Sequence, residues 1–196
     1  MNRSDTKKRL MESTLRLISE KGYLGATTKE IASKAGVSEL TLFRNFGSKE
    51  KLFESVLNEY TFLPRLKELL PGLERLDYRE ALAMIGLQFF ETLQERKPLV
   101  KIIYSEINLY PEKIRRVYFR FVNGIIKNLA GYFRCMQKKN ELRSFPPELG
   151  AKAFMGMIFS YFKAEEILKG REIGKKEIDR TIRTFVDIFV DGTRTH

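Results

Sequence analysis

A chain of 196 residues, 43% of them hydrophobic, can bury a real core, and at about 100–150 residues per domain it leaves room for one domain with a smaller companion. Its 36 Lys and Arg against 25 Asp and Glu give a net charge of +11, which points to a polyanionic partner, nucleic acid being the commonest. The single cysteine, Cys135, and the single histidine, His196, exclude an internal disulfide, a Cys/His zinc site, a Ser-His triad and a Cys-His pair within one chain; with no Gly-rich phosphate loop and no GxSxG either, we expect no enzyme, no metal and no cofactor.

Helical spacing runs throughout, and no apolar run reaches the roughly 18 residues of a membrane span. The charged start MNRSDTKKRL lacks the apolar stretch of a secretory signal, so the expected location is cytoplasmic. Ser4 can cap a first helix with Leu10, Thr14, Leu17 and Ile18 inward, ending near Lys21-Gly22. Thr27 and Glu30 have the spacing of a capping box, Gly36 supplies a turn, Ser38 caps ELTLFRNF, and Gly47-Ser48 ends that helix and caps the next, KEKLFESVLNEY. Pro64 and Pro71-Gly72 then interrupt the pattern, which places a domain boundary near residue 63. Beyond it, Asp77 opens ALAMIGLQFFETLQ, LVKIIYSEINL follows Pro98, Pro111 opens a long helix to Asn140, Pro146-Pro147 opens ELGAKAFMGMIFSYFKAEEILKG, and KKEIDRTIRTFVDIFVDG completes the chain.

The expected fold is therefore all-α, with about nine helices: a small N-terminal three-helix module at 1–53, a linking helix to about 63, and a larger helical bundle over 64–196. Ala32, Gly36 and Leu42 have the Ala-x3-Gly-x5-apolar spacing of a helix-turn-helix, whose second helix lies in the DNA major groove. Eight residues at 1.5 Å each make a rod of about 12 Å, comparable with the groove's width. The charge alone does not locate the site, because residues 1–60 carry only eleven basic against eight acidic side chains.

The stretch GYLGATTKEIASKAGVSELTLFRNFGSKEKLFESVL resembles the DNA-binding module of the tetracycline-repressor (TetR) family of bacterial transcription regulators, over roughly residues 6 to 53. The resemblance implies that Thr27 and Thr28 contact phosphate with hydroxyl and backbone groups, that Lys49 grips phosphate, and that residues 38–45 form the recognition helix. Its outward face would carry Glu39, Leu40, Thr41, Arg44 and Asn45, with Arg44, Thr41 and Glu39 at base edges, and Ser38 and Phe43 complete the candidate DNA-binding set. Phe43 departs from the family's usual tyrosine, which suits packing or a thymine methyl, and Asn45 from His or Tyr, leaving adenine and phosphate both open to it.

The resemblance also implies a ligand-responsive homodimer, a repressor on a near-palindromic operator released by a small hydrophobic or amphipathic effector; the alternative is a helical carrier or interaction module whose DNA module is non-functional. Candidate effector-pocket residues are Met84, Gln88, Phe89, Ile103, Tyr104, Phe121, Met155 and Phe159, with Asn108, Arg120, Asn123 and Tyr161 as further polar anchors. The last two helices would form the dimer interface through Phe154, Ile158, Tyr161, Phe162, Ile182, Phe185 and Phe189.

Overall fold

The structure, a computed structural model, describes residues 3–73 and 75–195, so His196 lies outside the described residues. Among those described, the regular elements are helices, accompanied by an isolated antiparallel bridge between Leu142 and Arg194. In chain order they are α1 (Arg3–Gly25), α2 (Thr28–Lys34), α3 (Glu39–Phe46), α4 (Lys49–Glu59), α5 (Phe62–Leu73), α6 (Tyr78–Glu95), α7 (Lys97–Glu106), α8 (Glu112–Lys138), α9 (Pro147–Phe162) and α10 (Lys175–Thr193), with a 3-10 turn before α8 and a π-helical turn after α9.

The chain does not divide once near residue 63. One compact unit takes Met1–Thr61 and Arg96–Val122, the other Phe62–Glu95 and Asn123–His196. The reason is apolar surface: α1 to α4 cannot cover α1 on every side, and Leu99, Ile103, Tyr110, Ile114 and Val117 return to share one core with Leu10, Leu17, Ile18, Leu42, Leu52 and Phe53. Within this unit α1 is helical from the first described residue, Arg3, and its helical geometry is interrupted at Gly22, whose φ of 74° and ψ of 172° belong to a region only glycine adopts easily. The Glu106 carboxylate sits against that glycine, where an added Cβ would lie 2.1 Å from its Oε2. Tyr110 donates to the same carboxylate at 3.1 Å and accepts from the Tyr23 amide at 3.3 Å.

The second unit closes around Phe62, Leu66, Leu82, Ile85, Phe90, Phe133, Phe154, Ile158, Phe162, Ile182 and Val186, all buried. Gly86 permits the close approach of α6 and α10, since a Cβ there would stand 2.7 Å from Ile182. Helix α5 runs through the region where prolines predicted an interruption. Pro64 is its third residue, where a helix has no partner for the missing N–H, and Pro71 falls in the last turn. Past α9 the chain widens into a six-residue π-helix, Lys163–Leu168. This turn buries two carboxylates: Glu165 pairs with Lys169 and Arg171, and Glu166 accepts from Gln94 at 2.5 Å.

Candidate nucleic-acid interface

Each short helix of the first unit is fixed by its own ends. Thr27 accepts from the Glu30 amide at 3.2 Å while the Glu30 carboxylate accepts from the Thr27 amide, also at 3.2 Å, a capping box that starts α2. Lys21 donates to Glu30 at 2.7 Å, and this bond with the Thr27 amide lowers the Glu30 pKa from 4.5 to about 2. Gly36 turns the chain with φ 65°, and the Ser38 side chain caps α3 by accepting from the Thr41 amide at 3.2 Å. Ser48 does the same for α4 through the Lys51 amide.

Helix α3 is anchored by Leu42, which has no exposed surface and meets a core that includes Ile31, Ala32 and Ala35, and by the partly buried Phe46, which packs against the same core. Its opposite face stands in solvent. Leu40 is 58% and Phe43 42% exposed, Arg44 and Ser38 are exposed, and Glu39 and Thr41 are half-buried. Two large apolar side chains on a helix of eight residues are poorly placed for water and well placed for contact. Arg44, Thr41 and Asn45 also line an open cleft of about 400 Å³ whose other wall is Arg3 and Thr6 of α1. Those two α1 residues escaped the sequence reading; the basic cluster Arg3, Lys7, Lys8 and Arg9 was the only signal for them.

Four of the expected contact residues have partners within the chain. The Thr27 hydroxyl donates to Glu30 at 3.0 Å and the Thr28 hydroxyl donates to Glu39. Lys49 donates to the Tyr23 carbonyl at 2.5 Å and lies 4.3 Å above the Tyr23 ring, and its partial burial lowers its pKa. It clamps the start of α4 to the end of α1. Asn45 donates to the Thr41 carbonyl at 2.8 Å and keeps its Oδ1 buried, so it cannot offer adenine the donor and acceptor pair a bidentate contact requires.

The other predicted sets are placed as follows. Of the dimer residues, Phe154, Ile158, Phe162 and Ile182 have no exposed surface and Phe189 only 8%, so the chain's own core takes them and they are not open to a second copy. Tyr161 and Phe185 are half-buried and pack against each other. Of the effector set, Met84, Gln88, Phe89, Met155 and Phe159 belong to the second unit, while Ile103, Tyr104 and Phe121 belong to the first, where Ile103 is core. Phe89 and Met155 are buried, Phe159 is half-buried, and Met84 and Tyr104 are exposed. Gln88 lines an open cleft of about 340 Å³ with Arg65, Glu68, Leu69, Glu91 and Glu95. The other polar candidates have partners of their own: Arg120 pairs with Glu54, and Tyr161 donates to Glu177 at 3.0 Å. Asn108 and Asn123 are exposed. No helix among the described residues is long and apolar enough to cross a membrane, and no cluster of His, Cys, Asp and Glu among them could hold a metal.

Comparison with known proteins agrees with this geometry. Residues 10–56 match the family of bacterial regulatory proteins, tetR family, and residues 80–192 match the AefR-like transcriptional repressor, C-terminal domain. The HTH-type transcriptional regulator YvkB of Bacillus subtilis (strain 168) is 32% identical over 187 residues, covering 95% of this chain and 96% of that one. Among solved structures, a TetR-family regulator from Mesorhizobium loti superposes with a TM-score of 0.76 at 19% identity, covering all of both chains. FadR from Bacillus subtilis, in complex with stearoyl-CoA, superposes with 0.73 at 19% identity, covering 96% of this chain and 99% of that one. An all-helical chain that presents an exposed, N-capped α3 and matches family models over both its N-terminal and C-terminal regions is a DNA-binding transcription regulator and not an enzyme: it belongs to the TetR family.

Proposed function

We propose that this regulator acts as a homodimer on a near-palindromic operator, as a repressor released by a small hydrophobic or amphipathic effector. The observation that carries the DNA side is α3 itself, with Leu42 buried and Leu40, Phe43 and Arg44 presented outward. Arg44 reads a base edge, guanine O6/N7 suiting a guanidinium best, and Leu40 and Phe43 suit thymine methyl groups. Arg3, across the cleft from Arg44, serves the sugar-phosphate backbone.

Dimerisation rests on the outer faces of the last two helices. Leu149 and Ile188 are 63% and 62% exposed, and Ala153, Gly156, Met157 and Ser160 make a low, weakly polar stripe along α9 that admits close approach of a second copy. The effector belongs to the second unit, where Phe89, Met155 and Phe159 lie among many aromatic side chains. FadR, a structural relative that binds stearoyl-CoA, supports an acyl chain with an anionic head as the first effector class to try. A coupling of about 1–3 kcal/mol between effector and operator would change operator affinity roughly 5- to 150-fold.

Fluorescence anisotropy on duplexes from the gene's own promoter, with and without stearoyl-CoA and at several salt concentrations, tests the reading. Sequence-selective binding by two copies, weakened by the acyl-CoA, is the expected result. Binding without sequence preference would leave a helical carrier as the better account.

A further inference from the structure

The hydroxyl of Thr28, at the start of α2, donates to Oε1 of Glu39, the first residue of α3. From this bond we infer that Thr28 is a positioning residue for Glu39, and that Glu39 reads the N4 amino group of a cytosine; the inference rests on the DNA-binding reading above.

The chemistry narrows the choice. A carboxylate accepts hydrogen bonds and donates none, and it is repelled by phosphate, so at a DNA surface Glu39 is useful only at a base edge that offers a donor. In the major groove those donors are cytosine N4 and adenine N6. Adenine places its N7 acceptor beside N6, which opposes a carboxylate, whereas cytosine's neighbour is a carbon. Guanine and thymine present acceptors on the same edge and are rejected.

Placement supports the role. The first turn of a recognition helix is the part that meets base edges, and Glu39 is its N-terminal residue. Its side chain is half-buried, and Thr28 holds one oxygen, which removes most of the rotamer freedom a surface glutamate would lose on binding and leaves Oε2 to meet the base. The helix start also favours the carboxylate over an amide at this position.

The test is selection of binding sites from a randomised duplex library, followed by affinities for single-base variants of the selected site. Wild type should select a cytosine at one column of each half-site with roughly tenfold or greater preference over the other bases. Glu39→Ala should lose that column alone and bind random duplex at least as tightly as wild type, because a repulsive charge has gone. Thr28→Val should weaken preference at the same column, and Thr28→Ser should restore it. Glu39→Asp, which keeps the charge and withdraws the carboxylate from Thr28, should also lose it, so the inference remains open to refutation if Thr28→Val does not fold.

An unchanged column in Glu39→Ala or Glu39→Asp would overturn the assignment. So would a Thr28→Val that binds all sequences more weakly by a similar factor, with the column intact and the salt slope unchanged, which is the signature of an uncharged hydroxyl on phosphate. If the wild-type chain itself selects no motif, the DNA-binding reading has failed, and that outcome is distinct from either of these.

Discussion

Replacing Lys49 by Met keeps the apolar stem and the length of the side chain while deleting the ammonium that joins α4 to α1. A hydrogen bond to a charged group is worth about 1.5–3 kcal/mol, and a cation over a tyrosine ring adds roughly 0.5–2 kcal/mol. The bond here is 2.5 Å to the Tyr23 carbonyl and the ring contact 4.3 Å, both at a partly buried group. Burial lowers the Lys49 pKa and therefore opposes the charged form, so part of that gain is offset. We take the net loss as about 1–2 kcal/mol, which for a chain of this size lowers the melting midpoint by roughly 2–8 °C. Calorimetry measures the midpoint, and anisotropy at four or five salt concentrations measures the DNA slope. Lys49→Met should melt early yet keep the wild-type salt slope. An unchanged midpoint combined with a slope smaller by about one would refute the clamp and return Lys49 to the phosphate backbone.

Three other outcomes follow from the same geometry. Since the folded pKa of Glu30 is near 2 and the unfolded value is 4.5, its bonds contribute stability above pH 4.5 that is lost as pH falls toward 2; in a pH series of thermal melts Glu30→Gln should therefore show a flatter acid limb than wild type. Gly22→Ala must hold an alanine at φ 74°, ψ 172°, at a cost of about 1–3 kcal/mol, whereas Gly72→Ala meets nothing within 4 Å; only the first should lower the midpoint in calorimetry by several degrees. Ile188→Glu places a charge on a side chain already 62% exposed, so circular dichroism should show an intact fold while sedimentation velocity shows a shift from dimer to monomer.

The sequence revealed most where the physics is local. Thr27, Ser38 and Ser48 each cap the helix that follows within three residues, so the boundaries of α2, α3 and α4 were readable from spacing alone. Helix α5 was hidden because Pro64 and Pro71 look like breaks, yet Pro64 falls in the first turn, where the missing donor has no partner, and Pro71 falls late enough that only the last turn loses a bond. The faces of α9 were ambiguous for a different reason. Apolar residues surround that helix, so periodicity cannot say which stripe turns inward, and tertiary packing selects Phe154, Ile158 and Phe162. The return of residues 96–122 to the first unit depends on which surface of α1 remains uncovered, and no local pattern encodes that. The partners of Thr28 and Lys49 within the chain, Glu39 and Tyr23, were not legible because they lie on other elements, 11 and 26 residues away.

The exposed Leu40 and Phe43 on α3 carry an implication for how the protein behaves in a living cell. Attraction to phosphate weakens steeply whenever potassium or glutamate accumulates, because displaced counterions no longer gain entropy, but the contact of a leucine or phenylalanine with a thymine methyl is nearly blind to dissolved ions. On the proposed reading of α3, affinity for the target falls less with rising salt than the loose, purely ionic encounters elsewhere on the chromosome do, so hyperosmotic stress should sharpen the regulator's selectivity.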